Sequence, residues 1–373
     1  MLKICKICIQ PNTRPGIFFN SSGICGACIW ESEKNKINWD LREKELLNIA
    51  YSAKKNSKNN YNCVIGVSGG KDSTTQAIIA RDKLNLNCLL VNSEPDNITS
   101  LGKRNIENLK NLGFDVISIR PNPKIMKKLM KVDFYNYLNP IKITEFALYS
   151  SAYIIAEKFN IPLIIQGENP GLTLGVSKTG VGTSNDALQA DKLDTLSNGI
   201  DEYLNVDGIT QNDLTLFQYD KVKLQKKGIK AIWLNYYYKN WSQRGNAEFA
   251  KNYGFNFRKN NFDPITIGSY SRYTALDSDV QPVNQMLKFL KFGFGQTMDI
   301  ACYDLREKRI SRKEAKNLVM KYDGKCSLLY IKKFCKYLDI EEDDFWKTSE
   351  KFRGKMWKKN SKNEWKNMIW DLF

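Results

Sequence analysis

Histidine is absent from all 373 residues. A single such chain cannot assemble a Ser-His-Asp triad, a Cys-His protease centre, an HExxH zinc site, the HxE zinc site of base deaminases or a histidine-dependent cysteine glutaminase. Acid and base work falls to Asp, Glu, Lys, Tyr, a metal-bound water or the substrate. Glycine and proline are also sparse, at 23 and 10 positions, while 42% of residues are apolar and 26% charged, which excludes collagenous and disordered compositions. No apolar run reaches the roughly 18 residues of a membrane span, and MLKICKICIQPN carries no signal-peptide core, so a cytoplasmic location is expected.

Acidic charge is in deficit. Lys plus Arg outnumber Asp plus Glu by 57 − 40 = +17, a field that attracts phosphates, nucleotides or nucleic acid. Part of the excess falls in residues 351–373, where Lys351, Arg353, Lys355, Lys358, Lys359, Lys362 and Lys366 face only Glu364 and Asp371. That segment reads as a solvated basic tail, with a polyanion site as the alternative.

Nine cysteines in a chain without a secretory signal favour metal ligation or free thiols over disulfides. Cys5, Cys8, Cys25 and Cys28 form C-x2-C-x16-C-x2-C, and each short pair can grip one tetrahedral ion. Turn-forming residues between the pairs suit a zinc ribbon built around a hairpin, with an iron-sulfur cluster as the lesser alternative. Four sulfurs close the shell, so the role expected is structural or docking. Cys63, Cys88, Cys302, Cys326 and Cys335 lack ligand spacing and read as core or surface thiols.

Helical periodicity runs from Trp39 to Ala53, and a polar linker follows to Asn60. Next come a β-branched apolar run (61–67), the loop SGGKDS (68–73) and a helical pattern, the order in which backbone amides and a helix amino terminus cradle phosphate. A Walker loop would need glycine at 65 and Ser or Thr at 72, where Ile65 and Asp72 stand. SGGKDS instead matches the S-G-G-x-D-S signature of the PP-loop ATP pyrophosphatases, which cleave ATP between its α and β phosphates. The alternation continues through 86–94, 114–121 and 161–171, predicting a doubly wound parallel α/β sheet with ligands at strand carboxyl ends. Glu94, Glu168 and Asn169 fall at such ends and are candidates for substrate or magnesium contacts, against a plain reading as loop polarity. The layout expected is a knuckle over 1–38, helix and linker over 39–60, the ATP-binding α/β domain over 61–240, a mainly helical substrate or partner region over 241–350, and the basic tail.

The knuckle, GVSGGKDS (66–73), QGENP (166–170), IWLNYYYKNW (232–241) and above all KFGFGQTMDIACYDLREKRISRKEA (291–315) with KYDGK (321–325) resemble the N-acetyl sugar amidotransferase family of bacterial lipopolysaccharide, pseudaminic and legionaminic acid biosynthesis. The resemblance spans almost the whole chain. It implies conversion of an acetamido group to an acetamidino group through an adenylated imidate, releasing AMP and pyrophosphate. It implies ATP, Mg2+ and structural Zn2+ as cofactors, with Ser68, Gly69, Gly70, Lys71, Asp72 and Ser73 on the triphosphate. Asp72 would lie near magnesium, and Lys71 would offset charge on the leaving pyrophosphate. Ile300 stands where histidine is expected in many relatives, leaving Asp299 as the local acid-base candidate or as a helix amino-terminal carboxylate. Ammonia would come from a partner glutaminase like that of histidine biosynthesis, possibly with its cyclase-like companion, since this chain has neither histidine nor a cysteine at Leu2. The rival is a PP-loop tRNA-modifying thiolase or lysidine-type synthetase, which would also account for the positive field; Cys63 and Cys88 do not look like the reactive thiols thiolation wants.

Overall fold

The computed structural model describes residues 1–95, 98–176, 182–196 and 198–373. Helices α1 (Gly26–Glu33) and α2 (Trp39–Asn56) precede the first strand. Strands and helices then alternate as β1 (Cys63–Val67), α3 (Lys71–Asp82), β2 (Cys88–Ser93), α4 (Ser100–Asn111), β3 (Asp115–Ile119), α5 (Pro123–Tyr137), α6 (Lys142–Phe159) and β4 (Leu163–Gln166). After α7 (Pro170–Thr173) and α8 (Lys221–Lys226) comes β5 (Lys230–Trp233), then α9 (Leu234–Tyr237) and α10 (Gln243–Lys251). Five further helices close the helical region: α11 (Val280–Phe292), α12 (Gln296–Arg306), α13 (Arg312–Tyr322), α14 (Leu328–Leu338) and α15 (Glu342–Lys351).

The strands form a parallel sheet in the order β3-β2-β1-β4-β5. Alternate residues of each strand enter two different cores: Val64, Leu89, Val91 and Ile164 join one, while Ile65, Val67, Leu90 and Ile165 join the other. Burial on both faces is why these strands read as near-continuous apolar runs. The doubly wound sheet expected from the sequence is therefore present. Its order reverses at β1, since the chain leaves β1 toward β2 and returns on the other side as β4. Loops diverge there and leave a crevice at the strand carboxyl ends.

The aromatic segment at 232–241 begins inside a fifth strand, and Tyr237 packs in the core under the sheet. One expectation needs correction. Residues 351–373 are not a solvated tail: β6 (Trp357–Lys359) pairs antiparallel with β7 (Trp365–Asn367). Asn367 donates to the Gly293 carbonyl at 2.8 Å, and Ile369 is fully buried beside Phe294 and Met298. Counting lysines hid the inward alternation of Trp357, Asn367 and Ile369. The lysines occupy the solvent side, with Lys358 directly opposite Lys366. Among the described residues no helix is long and apolar enough to cross a membrane.

The KFGFG and KYDGK blocks have one structural explanation. Asp323, 2% exposed, accepts the amides of Gly295 (2.7 Å) and Met298 (3.3 Å) and so caps α12 from outside. Gly324 has φ +74°, and a Cβ there would lie 2.0 Å from the Phe289 ring, so only glycine fits. Burial pushes the Asp323 carboxyl from 3.8 up to about 7, against the two amides and Lys288. A raised carboxyl value means that the folded state holds this proton more tightly than the unfolded chain does. Its contribution to stability is complete below 3.8 and lost as pH rises through about 7. Asp323→Asn gives up one acceptor at every pH but has no charge to bury. Thermal melts are therefore expected to show wild type well above the variant near pH 4 and the gap closing toward about pH 8.

Candidate active site at the sheet crevice

The loop after β1 opens directly into α3. Gly69 has φ +77°, and a Cβ would sit 2.7 Å from the Gly102 carbonyl, so the tight approach of α4 requires glycine here. Gly70 is the N-cap of α3 and offers no side-chain acceptor, which leaves first-turn amides directed at the crevice. The hydroxyls of Ser73 and Thr74 both donate back to the Gly70 carbonyl, at 3.1 and 3.0 Å, and fix the turn. Lys71, 5% exposed, reaches Asp72 with Nζ to Oδ2 at 2.5 Å.

Glu168, in the loop after β4, faces this pair across the switch point. Burial first, and then the negative charge of Asp72, push its carboxyl up to about 7, opposed by Lys71 and by hydrogen bonds from Trp241 and Gln243. Trp241 Nε1 and Gln243 Nε2 both donate to Glu168 Oε1, at 3.0 and 2.7 Å. Asn246 Nδ2 donates to Asp72 Oδ1 at 2.8 Å. Two carboxylates held by neutral donors, with one lysine between them and free amides beside them, form a site for a divalent cation and a polyphosphate. Gln243 and Asn246 were not singled out from the sequence. They lie on α10, which packs on α3, with Thr75 Oγ1 donating to the Asn246 carbonyl at 3.1 Å.

Beside the loop, a cavity of about 110 Å³ runs along the carboxyl edge of β2. Ser68, Ser93 and Glu94 form its polar rim, and Met126, Met130 and Leu148 form an apolar wall. Asp277, also lining it, takes a hydrogen bond from Ser68, and burial raises its carboxyl. Glu145 Oε2 is buried there without a hydrogen-bond partner. A flat apolar wall with unmet acceptors is suited to a nucleoside, whose hydroxyls and amino groups are donors. Neither Asp277 nor Glu145 carries a motif in the sequence; the topology alone brings them to the loop.

Two other candidates stand apart from this chemistry. Asn169 is fully buried, its Nδ2 donating to the Ser184 carbonyl and its Oδ1 accepting from the Gly171 amide. It caps α7, and both polar atoms of its side chain are engaged within the protein. Asp299 is paired through one oxygen with Arg14 and through the other with Lys288 at 2.7 Å. Burial alone would raise its carboxyl, but the two cations outweigh that and hold it below the usual range, so in this structure it ties the knuckle to α11 and α12. Cys63 and Cys88 are free thiols, the Cys63 Sγ donating to the Cys88 Sγ at 3.2 Å. They are buried at the amino ends of β1 and β2, opposite the crevice, and burial pushes the Cys63 thiol far up.

The four-cysteine knuckle is a built metal site. All four sulfurs are buried and lie within 4.8 Å of one another. The Cys5–Cys28 and Cys8–Cys25 separations are 3.8 and 3.7 Å, matching the edge of roughly 3.8 Å of a tetrahedron with metal–sulfur bonds of about 2.3 Å. Cys25, Cys5 and Cys8 push the Cys28 thiol up, and a bound cation would offset that crowding of buried sulfurs. Arg312 donates into the carbonyls of Cys5, Lys6, Ile7 and Cys8 and clamps the first cysteine loop onto α13.

Residues 267–372 match the family model described as LPS biosynthesis protein WbpG-like, C-terminal domain. The sheet order and the SGGKDS loop are those expected of a PP-loop protein, and the carboxy-terminal region is similar to a WbpG-like domain. That match contains the KFGFG and KYDGK blocks on which the family resemblance rests, and the assignment made from them stands. It also reaches through the β6–β7 pair. A curated relative, uncharacterized protein MJ1599 of Methanocaldococcus jannaschii, is 31% identical over 111 residues, covering 29% of this chain and 38% of its own. Among solved structures, the NMN synthetase of Francisella tularensis aligns with 58% of this chain and 93% of its own at 17% identity and a TM-score of 0.30.

The knuckle is expected to carry one metal ion per chain by elemental analysis. Cys25→Ser should lower that content. Chelation should lower the melting temperature, since Phe294 and Met298 pack on the cysteines they would lose as a fixed surface. Full metal content in Cys25→Ser would refute the assignment.

Proposed function

We propose that the chain is an ATP-dependent, AMP-forming amidotransferase that converts an acetamido group on a bacterial surface-glycan sugar to an acetamidino group. The observation that carries this reading is the arrangement of Lys71, Asp72 and Glu168 at the sheet's switch point, in a chain whose carboxy-terminal region matches a lipopolysaccharide-biosynthesis family. ATP would lie with its nucleoside in the cavity at Ser68, Ser93 and Glu94 and its phosphates on the amides of Gly70 and the first turn of α3. Asp72 and Glu168 would hold Mg2+, which neutralises charge on the phosphates as the α–β bond breaks. Zn2+ is the ion proposed for the knuckle, by the chemistry of its four thiolate donors.

An amide carbonyl is a poor electrophile and its oxygen a poor leaving group. In the proposed sequence that oxygen attacks the α-phosphorus and pyrophosphate departs, leaving an O-adenylated imidate. Lys71 stabilises charge on the departing pyrophosphate. Ammonia attacks the imidate carbon, the carbon–oxygen bond breaks, and the oxygen leaves with AMP. Ammonia gives up one of its protons, and the product amidine is neutral or protonated according to the medium.

Purified protein with ATP, Mg2+, an ammonium salt and UDP- or CMP-linked acetamido sugars is expected to form AMP and pyrophosphate only when acceptor is present, and to lower the acceptor mass by the difference between O and NH. Asp72→Ala should remove turnover while the circular dichroism spectrum and melting temperature stay close to wild type. ADP and orthophosphate as products would refute the mechanism, and tRNA-stimulated pyrophosphate release would favour the tRNA-modifying alternative.

Glutamine is the proposed physiological donor, hydrolysed by a separate glutaminase subunit, because no histidine is available for a cysteine glutaminase in this chain. The isolated protein should therefore use ammonium salts at alkaline pH and fail with glutamine. Glutamine-dependent turnover by the pure chain would overturn this partner.

A further inference from the structure

A second, smaller cavity lies behind the acids, on the side away from the nucleoside cavity. Its volume is about 20 Å³, enough for one molecule the size of water or ammonia, which needs roughly 10–15 Å³. Trp30 of α1 forms one wall, Leu172 and Thr173 of α7 another, and Tyr303 and Arg306 of α12 a third. The floor is the pair Trp241 and Gln243, whose side chains donate to Glu168 on their far side. One layer of side chains therefore separates this cavity from the carboxylates of the candidate active site. Three parts of the chain that are remote in sequence converge on it: the knuckle, the loop after β4 and the WbpG-like region.

The carboxylates on the walls are already paired, and the remaining cation, Arg306, lies within reach of the Cys8 and Cys28 sulfurs of the knuckle. Glu31 is paired with Lys34 at 2.9 Å and Glu307 with Arg309 at 2.6 Å. Arg306 has no carboxylate partner among the described residues; it donates to the Thr173 carbonyl at 3.1 Å and lies over the Tyr303 ring at 4.5 Å. A guanidinium fixed in the wall of a cavity this narrow repels ammonium and is indifferent to neutral ammonia.

We infer that this cavity is the port through which ammonia reaches the reaction centre, entering between the metal knuckle and α12 and passing the Trp241–Gln243 pair. The inference rests on the amidotransferase reading above and adds the route by which its second substrate arrives. It gives the knuckle a use beyond holding the fold, since α1 supplies one wall and the cysteines at its base set where that wall stands. Ammonia then approaches the imidate from the side opposite the nucleoside cavity, so AMP can depart without crossing the incoming nucleophile.

The test separates the two half-reactions. Acceptor-dependent exchange of labelled pyrophosphate into ATP, measured without ammonia, reports adenylation alone. Amidine formation at varied ammonium concentration reports the second step. Thr173→Leu fills the cavity at a residue whose hydroxyl donates to the Asn169 carbonyl at 3.3 Å and also bonds the neighbouring wall residue Tyr303. It is expected to leave exchange at the wild-type rate and to raise the KM for ammonia about tenfold or more. Thr173→Ala widens the cavity and is expected to accept methylamine, which wild type refuses. An unchanged ammonia KM in Thr173→Leu with exchange intact overturns the port alone, as does ready use of methylamine by wild type. If Thr173→Leu loses exchange through misfolding, the methylamine result with Thr173→Ala decides. Absence of exchange in wild type with every acetamido sugar overturns the amidotransferase reading and this inference together.

Discussion

Two carboxylates that repel each other sit at the point where the sheet reverses its strand order, and much of the molecule is arranged to keep them there. Asp72 and Glu168 arrive on loops from adjacent strands, β1 and β4, and burial makes their mutual repulsion expensive. One lysine, an indole, a carboxamide on Gln243 and another on Asn246 hold them. Such a cluster is poorly suited to stability and well suited to a divalent cation with a polyphosphate. The tension is local to the crevice, while the rest of the sheet is buried on both faces by ordinary apolar packing.

That constraint also explains why the parts beyond the sheet are where they are. The donors to Glu168 and Asp72 come from Trp241, Gln243 and Asn246, so the polypeptide that follows β5 must fold back over the loop and pack α10 on α3. The knuckle and the WbpG-like region then close the far side, sharing one core in which cysteines, Phe294, Met298 and Ile369 are neighbours. Arg14, Asp299 and Lys288 form a buried ionic link between these parts. Knuckle, α12 and hairpin thus pack on one another as a single core beside the candidate site.

The sheet was legible from residues because its strands are apolar on both sides and its helices alternate with them, and SGGKDS names its loop by local chemistry. The four cysteines were equally plain, since a C-x2-C pair means the same thing in any fold. What the sequence hid were groups whose meaning depends on distant partners. Asp277, Glu145, Gln243 and Asn246 are ordinary polar residues until the topology brings them to β1 and β4. Asn169 and Asp299 show the converse: each sits in a suggestive motif, and each is engaged by a cap or an ion pair that the motif does not announce. The hairpin at 357–367 was masked by lysines that all face solvent, while its inward residues are few and spaced by two.

The clamp of Arg312 on the carbonyls of the first cysteine loop joins residues 307 positions apart in the chain. The two C-x2-C pairs close a short local loop, whose closure entropy is small, whereas the clamp and the shared core close a loop of about three hundred residues. The knuckle therefore has its own ligands close at hand but no docking surface until α12 and α13 are folded against it. A change that loosens the four sulfurs would be felt far along the chain, at the helices that pack on them.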